Sequence, residues 1–187
     1  PVAAVPAESA ALRTVCHKFG GTSVADADRY RHVAQLLLAR EEAIQVTVVS
    51  AMKGVTDGLI DVARLAATGN EAWRDTIEWL DARFERLAEI LGALAVIGEL
   101  PQEVLDRVQG LGEVFSAQLL GRHLQALGED ADVLDAREVL VVNHGELGVD
   151  VDWKASAAKL ALWRQTHPAR RLVVTGFVAR DRKGNIT

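Results

Sequence analysis

Cysteine and aromatic side chains are both scarce in this 187-residue chain, and each scarcity excludes something. One cysteine, Cys16, allows neither an intrachain disulfide nor a multi-thiolate zinc centre. Four Trp, four Phe and one Tyr are too few for a base-stacking platform. The longest uncharged apolar run, Ile90 to Gly98, falls far below the ~20 residues of a membrane-spanning helix. Positive charge is in deficit: 21 Lys and Arg against 26 Asp and Glu leave a formal net charge of −5, without the general basic face that nucleic acid requires. No charged segment followed by an apolar one opens the chain as a signal peptide does, so a cytoplasmic protein is expected, with neither membrane nor nucleic acid as partner. His17, His32, His123, His144 and His167 show no metal-ligand spacing, and no residue is assigned to metal.

What is present is ordinary for a soluble globular chain: 49% hydrophobic and 25% charged residues, enough for one compact domain and short for two. Residues 1–14, rich in Ala, Pro and Val without periodicity, read as a flexible arm or linker, leaving 15–187 as the domain. Strand-like and helix-like periods then alternate. Val15–Phe19 reads as a strand ending at Gly20-Gly21. A helix follows over Val24–Arg40 with Tyr30, Val33, Ala34, Leu37 and Leu38 on one face, opened by a capping-box-like Ser23–Asp26. Gln45–Ser50 is a second strand, and Asp57–Thr68 a second helix stopped by Gly69.

Trp73, Ile77, Leu80, Phe84, Leu87 and Leu91 recur at helical spacing in a helical insert over about 70–111, a core or helix-hairpin seam. Pro101 suits a helix start, and Gly110–Gly112 are expected to interrupt that helix. Strand-like sequence returns at Val133-Leu134 and Val139–Val142, helix at Val151–Gln165, and a last buried strand at Arg171–Val178. The alternation predicts an α/β fold with a mainly parallel sheet and helices on both faces. Cys16 is expected to pack as a small hydrophobe.

In such sheets ligands bind beyond the carboxyl ends of the strands. The first strand ends in Lys18-Phe19-Gly20-Gly21-Thr22-Ser23, where glycines admit close backbone approach to an anion and Lys18 adds a full charge. Its lysine precedes the glycines, so it is no Walker A loop, and a third glycine is missing for a dinucleotide fingerprint. A phosphate cradle and a mere tight turn both fit these glycines. The second strand ends in Ser50-Ala51-Met52-Lys53-Gly54-Val55-Thr56-Asp57; Thr56 as a helix cap and Ser50 as a strand end is the plain alternative to a ligand role. Glu113 by itself reads as a solvated helix-start residue, Gly176 and Phe177 as a turn and a core aromatic, and Lys53 as a solvated or a steering lysine. Asp135 and Arg137 serve either a ligand or a strand-end salt bridge.

Five segments occur in an order that resembles the aspartate kinase branch of the amino acid kinase family: KFGGTSVADADR (Lys18–Arg29), VVSAMKGVTDGL (Val48–Leu59), GEVFSAQLL (Gly112–Leu120), DAREV (Asp135–Val139) and VVTGFVARDRKGNIT (Val173–Thr187). The resemblance implies an αβα sandwich related to carbamate kinase, of which this chain carries the N-terminal, amino-acid-binding lobe. It implies transfer of the γ-phosphoryl group of MgATP to the side-chain carboxylate of L-aspartate, opening the route to lysine, threonine and methionine. ATP with magnesium is then a co-substrate, with no tightly bound cofactor. By the same resemblance Lys18 neutralises the transferring group, Phe19, Gly20 and Gly21 form the phosphate cradle, and Thr22 and Ser23 line it. Ser50 and Thr56 contact aspartate, Glu113 receives its α-ammonium, and Gly176 and Phe177 help close the site.

In the family a Gly-Arg-x-Gly-Ser-Asp segment, a nucleotide-base lobe and regulatory domains follow, and parents of this type are expected to be homo-oligomers. The chain alone is therefore expected to have little kinase activity. The long interval between Thr56 and Glu113 resembles the larger aspartate kinases and the bifunctional forms fused to a second enzyme. Two other classes compete: a noncatalytic aspartate-binding or assembly module, and a nucleotide-cofactor oxidoreductase, which the missing third glycine and the absence of an acidic residue closing strand two disfavour. Within the family, glutamate, acetylglutamate and nucleotide kinases are further alternatives, and the ordered Ser50, Thr56 and Glu113 favour aspartate.

Overall fold

The computed structural model describes residues 13–41, 44–69, 85–145, 148–184 and 186. Four strands, β1 (Thr14–Phe19), β2 (Ile44–Val49), β3 (Ala131–Leu134) and β6 (Arg171–Thr175), form a wholly parallel sheet in the order β1-β2-β6-β3. Parallel neighbours need crossover connections, and helices supply them here. Helices α1 (Ala27–Leu38) and α4 (Gln102–Ala126) contribute Tyr30, Val33, Leu37, Leu120 and Leu124 to a core that includes Val49 of β2 and Val173 of β6. The other face carries α6 (Trp153–Thr166), whose Trp163 packs against Leu134, Val139 and Leu172.

Helix α2 (Val55–Ala67) and helix α3 (Glu85–Ile97) close a separate cluster against α4, with Leu59, Val62, Ala63, Leu91, Leu94 and Val108 at its centre. A smaller mixed sheet places β4 (Val141–Gly145) between antiparallel β5 (Gly148–Val151) and parallel β7 (Arg180–Asp181). The short helix α5 (Ala136–Val139) joins β3 to β4. No described helix is long and apolar enough to cross a membrane.

Helices do lie on both faces of the sheet, and several boundaries move for local reasons. The first helix begins later than the periodicity suggests: Gly21–Val24 is a 3-10 turn, and Asp26 is the cap, its side chain accepting from Arg29 N–H at 2.9 Å. Val139–Val142 is no single strand, because the Asp135 side chain caps a helical turn over Ala136–Val139 before β4 begins. Asp152 likewise splits Val151–Gln165, ending β5 and capping α6 through Ala155 N–H at 3.0 Å.

Gly110–Gly112 do not interrupt α4. A Cβ on Gly110 would lie 3.0 Å from Val178 Cγ1, and one on Gly112 would lie 2.9 Å from Ala51 Cβ. These glycines mark where neighbouring elements touch the helix, and residue 111, the expected end of the insert, lies within it. Cys16 is exposed rather than packed, since the β1 alternation puts Val15, His17 and Phe19 on the half-buried side. The stripe residues Trp73, Ile77, Leu80 and Phe84 and the arm up to Leu12 lie outside the described residues; Leu91, at the end of that stripe, is fully buried.

Candidate active site at the strand ends

The loops after β1 and β2 are tied together by backbone and side chain. Ser50 N–H donates to Phe19 C=O at 3.0 Å, and Ser23 N–H to Gly20 C=O at 2.8 Å. Gly21 is required by close approach, because a Cβ there would come 2.8 Å from the Ala51 carbonyl oxygen. Gly20 differs: its φ is −77° and a Cβ would meet nothing within 4 Å among the described residues, so none of them demands glycine there. The bare backbone at Gly20 faces outward. Phe19 turns its ring to the core, Thr22 is exposed, and Ser23 is half-buried.

Lys18 is exposed, and its Nζ donates to Ser50 Oγ at 2.5 Å, joining two residues from consecutive strand ends. Thr56 is not a helix cap. Gly54, at φ 83°, takes the cap position of α2 without a side-chain bond, and Thr56 lies in the first turn. A residue in that left-handed conformation is most easily glycine. Lys53 is exposed.

Glu113 lies inside α4, not at a helix start, and is 9% exposed. Burial pushes its carboxyl above the ordinary value; the Ala51 amide, the Lys18 ammonium and the Gly176 amide pull it back, in decreasing order. Gly176 N–H is already donated to Val49 C=O at 2.8 Å. Glu113 Oε2 is left buried without a hydrogen-bond partner. A Cβ on Gly176 would lie 3.1 Å from that oxygen and 2.9 Å from Val49 O, so glycine is what lets the end of β6 meet Glu113.

A cavity of about 340 Å³ opens beside this carboxylate, lined by Thr56, Asp106, Gln109, Gly110, Glu113 and Phe177, among others. Phe177 is no core aromatic: it is 98% exposed and has a φ of 51°, in the region L-residues seldom adopt. Thr56, Glu113 and Phe177 therefore share one cavity. Gly176 adjoins it through Glu113, and Lys18 through its charge and its bond to Ser50. Phe19 and Gly20 to Ser23 sit on the neighbouring loop and do not line it. The chemistry on offer is a buried carboxylate with one oxygen unpartnered among the described residues, for a cation, and an ammonium and a bare backbone loop beside it for an anion.

Several residues were missed from sequence. Asp106 and Gln109 line the cavity, and helical spacing from Glu113 would have found both. Tyr30 and Ser116 form a buried 2.7 Å hydroxyl pair one turn from Glu113. Burial raises the Tyr30 pKa, the Ser116 bond lowers it, and the Glu113 charge raises it further. Asp135 and Arg137 form a mutual ion pair, the strand-end alternative. Among the described residues no three His, Cys, Asp or Glu side chains gather to hold a metal ion.

A sequence profile described as "Amino acid kinase family" matches residues 13–187. The bifunctional aspartokinase/homoserine dehydrogenase, chloroplastic, of Daucus carota is 32% identical over 188 residues, covering 87% of this chain and 20% of that protein. The Escherichia coli K12 bifunctional aspartokinase/homoserine dehydrogenase 2 is 31% identical over 199 residues, covering 96% of this chain and 24% of that protein. The chain thus spans about a fifth to a quarter of the length of these relatives. In fold it is similar to E. coli aspartokinase III crystallised with aspartate and ADP, at a TM-score of 0.72 and 23% identity, covering 94% of this chain and 43% of that one.

Proposed function

Because the chain belongs to the amino acid kinase family, we propose that it is the N-terminal, amino-acid-binding lobe of an aspartate kinase and that the Glu113 cavity holds L-aspartate. One observation carries this reading: Glu113 keeps a carboxylate oxygen buried and unpartnered at a cavity wall. Such a group is costly unless a cation meets it, and the α-ammonium of an amino acid is a cation of the right size. Thr56 on the same cavity and Ser50 beside Lys18 supply hydroxyls for the remaining polar groups of the substrate.

The reaction in this reading is attack of the aspartate side-chain carboxylate oxygen on the γ-phosphorus of ATP. The bond to the bridging oxygen of ADP breaks, and 4-phospho-L-aspartate and ADP leave with no net proton transfer. Charge compensation dominates such transfers, which suits a lysine held at a strand end. Lys18, positioned by Ser50 Oγ, offsets charge on the moving phosphoryl group, while the Gly20-Gly21 backbone with Thr22 and Ser23 cradles the other phosphates. Phe19 contributes backbone to that cradle, and Gly176 and Phe177 close the cavity from the end of β6. Magnesium would arrive with ATP as part of that co-substrate and would supply charge neutralisation of the polyphosphate.

A place in lysine, threonine and methionine formation, a homo-oligomeric parent and a cytoplasmic location belong to the same proposal; the carrot relative is a chloroplastic protein. Calorimetric titration of the chain with L-aspartate tests it. Binding is expected to be saturable and to weaken by about a hundredfold in Glu113→Gln, the ~3 kcal/mol scale of a lost charge-assisted hydrogen bond. Equal affinity in the variant would remove the ammonium role from Glu113.

A further inference from the structure

The face of α4 adjoining Glu113 borders a second cavity, of about 560 Å³, which shares no described lining residue with the first. Three arginines from three elements line it: Arg107 from α4, Arg137 from α5 and Arg180 from β7. The rest of its wall includes Ile90, Leu111 and Ile186, and no acidic residue lines it among the described residues. This concentration of positive charge stands against a chain whose formal net charge is −5.

Arg137 is held in place. Its Nε bonds both Asp135 oxygens at 2.9 and 3.0 Å, its Nη2 bonds Oδ2 at 2.5 Å, and its side chain is only 13% exposed. Nη1 takes no part in that grip and lies 4.0 Å from where a Cβ on Gly110 would sit. Asp135 offsets the Arg137 charge but leaves that donor edge available. Arg107 and Arg180 are exposed and form no ion pair among the described residues. Two guanidinium groups without an ion pair among the described residues and one fixed donor edge match an anion with two or more negative charges. Guanidinium forks pair with phosphate or carboxylate oxygens in a bidentate manner, and they stay charged at any physiological pH.

We propose that this cavity is a second ligand site, for a small di- or polyanion bearing phosphate or carboxylate groups. Its volume falls within the range of small-molecule pockets. The proposal stands independently of aspartate binding, because no described residue lines both cavities. Arg137 Nη1 lies beside Gly110, which lines the Glu113 cavity, so the two cavities are neighbours.

Inorganic pyrophosphate is a suitable probe, followed by the arginine Nε–H resonances of the isotope-labelled chain, with citrate in a parallel titration to separate carboxylate from phosphate recognition. A saturable shift of the Arg137 resonance is expected with at least one of the two. The Arg107→Gln/Arg180→Gln double variant should weaken that binding by about tenfold or more, as expected for lost charge-assisted contacts. Arg107→Lys/Arg180→Lys should recover only part of it, because the fork is lost while the charge remains. Lys18→Ala, which disables the other loop open to phosphate, should leave the Arg137 shift in place. Unchanged thermal melting of the arginine variants would show that their fold is intact, as exposed and unpaired side chains should allow. Non-saturating shifts with both probes would overturn the proposal. So would binding that disappears in Lys18→Ala and survives in the arginine variants.

Discussion

Glu113 is held between opposing demands. Burial favours its neutral form, and the Ala51 amide and the Lys18 ammonium favour its charged form, with burial the larger effect. A carboxyl whose folded pKa lies above its unfolded one keeps its proton over a pH window in which the unfolded chain has lost it. Stability therefore falls as pH rises through that window, and the penalty is complete above the raised pKa. Glu113→Gln, which cannot ionise, is expected to melt at a higher temperature than wild type at neutral pH. The gap should close as pH falls below the ordinary carboxylate range. A gap that stays constant with pH would show that ionisation of Glu113 does not weaken the fold. The same variant loses affinity for aspartate in the proposed function, so stability and binding should move in opposite directions. Lys18, Ser50 and Thr56 could be singled out from sequence because they stand in short loops beside glycines. The environment of Glu113 could not, because a Glu in a Gly-Leu-Gly context looks solvated until the ends of β2 and β6 are placed against it.

Elements are stabilised here by local signals and by long-range packing, to different degrees. Asp26 caps α1 through one hydrogen bond to Arg29 N–H, and Asp26→Ala should cost about 0.5–2 kcal/mol. Leu94 of α3 is 2% exposed within the cluster of α2, α3 and α4. Leu94→Ala should cost about 2–5 kcal/mol, since a cavity adds to the lost transfer energy. Urea unfolding of the two variants would rank them; a Leu94→Ala cost no larger than that of the cap would mean that α3 contributes little to global stability. β1, β2, α1 and α2 were legible because alternation, Asp and Gly signals act within a few residues. The continuity of α4 was not: two glycines lower helix propensity, and only contact with Ala51 and Val178 explains why Cβ atoms are excluded there. The small sheet was illegible for a related reason. Its strands are two to five residues long, and although β4 and β5 are neighbours in sequence, β7 joins β4 only across α6 and β6.

For the whole molecule, the proposed aspartate binding and phosphoryl transfer can be tested separately. The Glu113 cavity and the Lys18 loop both lie within a chain that spans 20% of the carrot relative. We expect hydroxamate trapping with aspartate and MgATP to give no detectable acyl phosphate from these 187 residues, while aspartate still binds. Robust hydroxamate formation would instead mean that this stretch is sufficient for phosphoryl transfer. What the sequence determined alone was local: the strand-helix alternation, the glycine loop after Lys18, the hydroxyls after β2, and the ordered segments that mark the family. Apart from the order of those segments, each depends on residues within a few positions of one another, where periodicity and turn chemistry act. Only the tertiary structure decided that Glu113 closes over the ends of β2 and β6, that Gly110 and Gly112 are contact points, and that Arg107, Arg137 and Arg180 share a cavity. Those juxtapositions follow from the strand order β1-β2-β6-β3 and from the packing of α4 beside it. They join residues far apart in the chain, where the balance of burial and close approach replaces local preference.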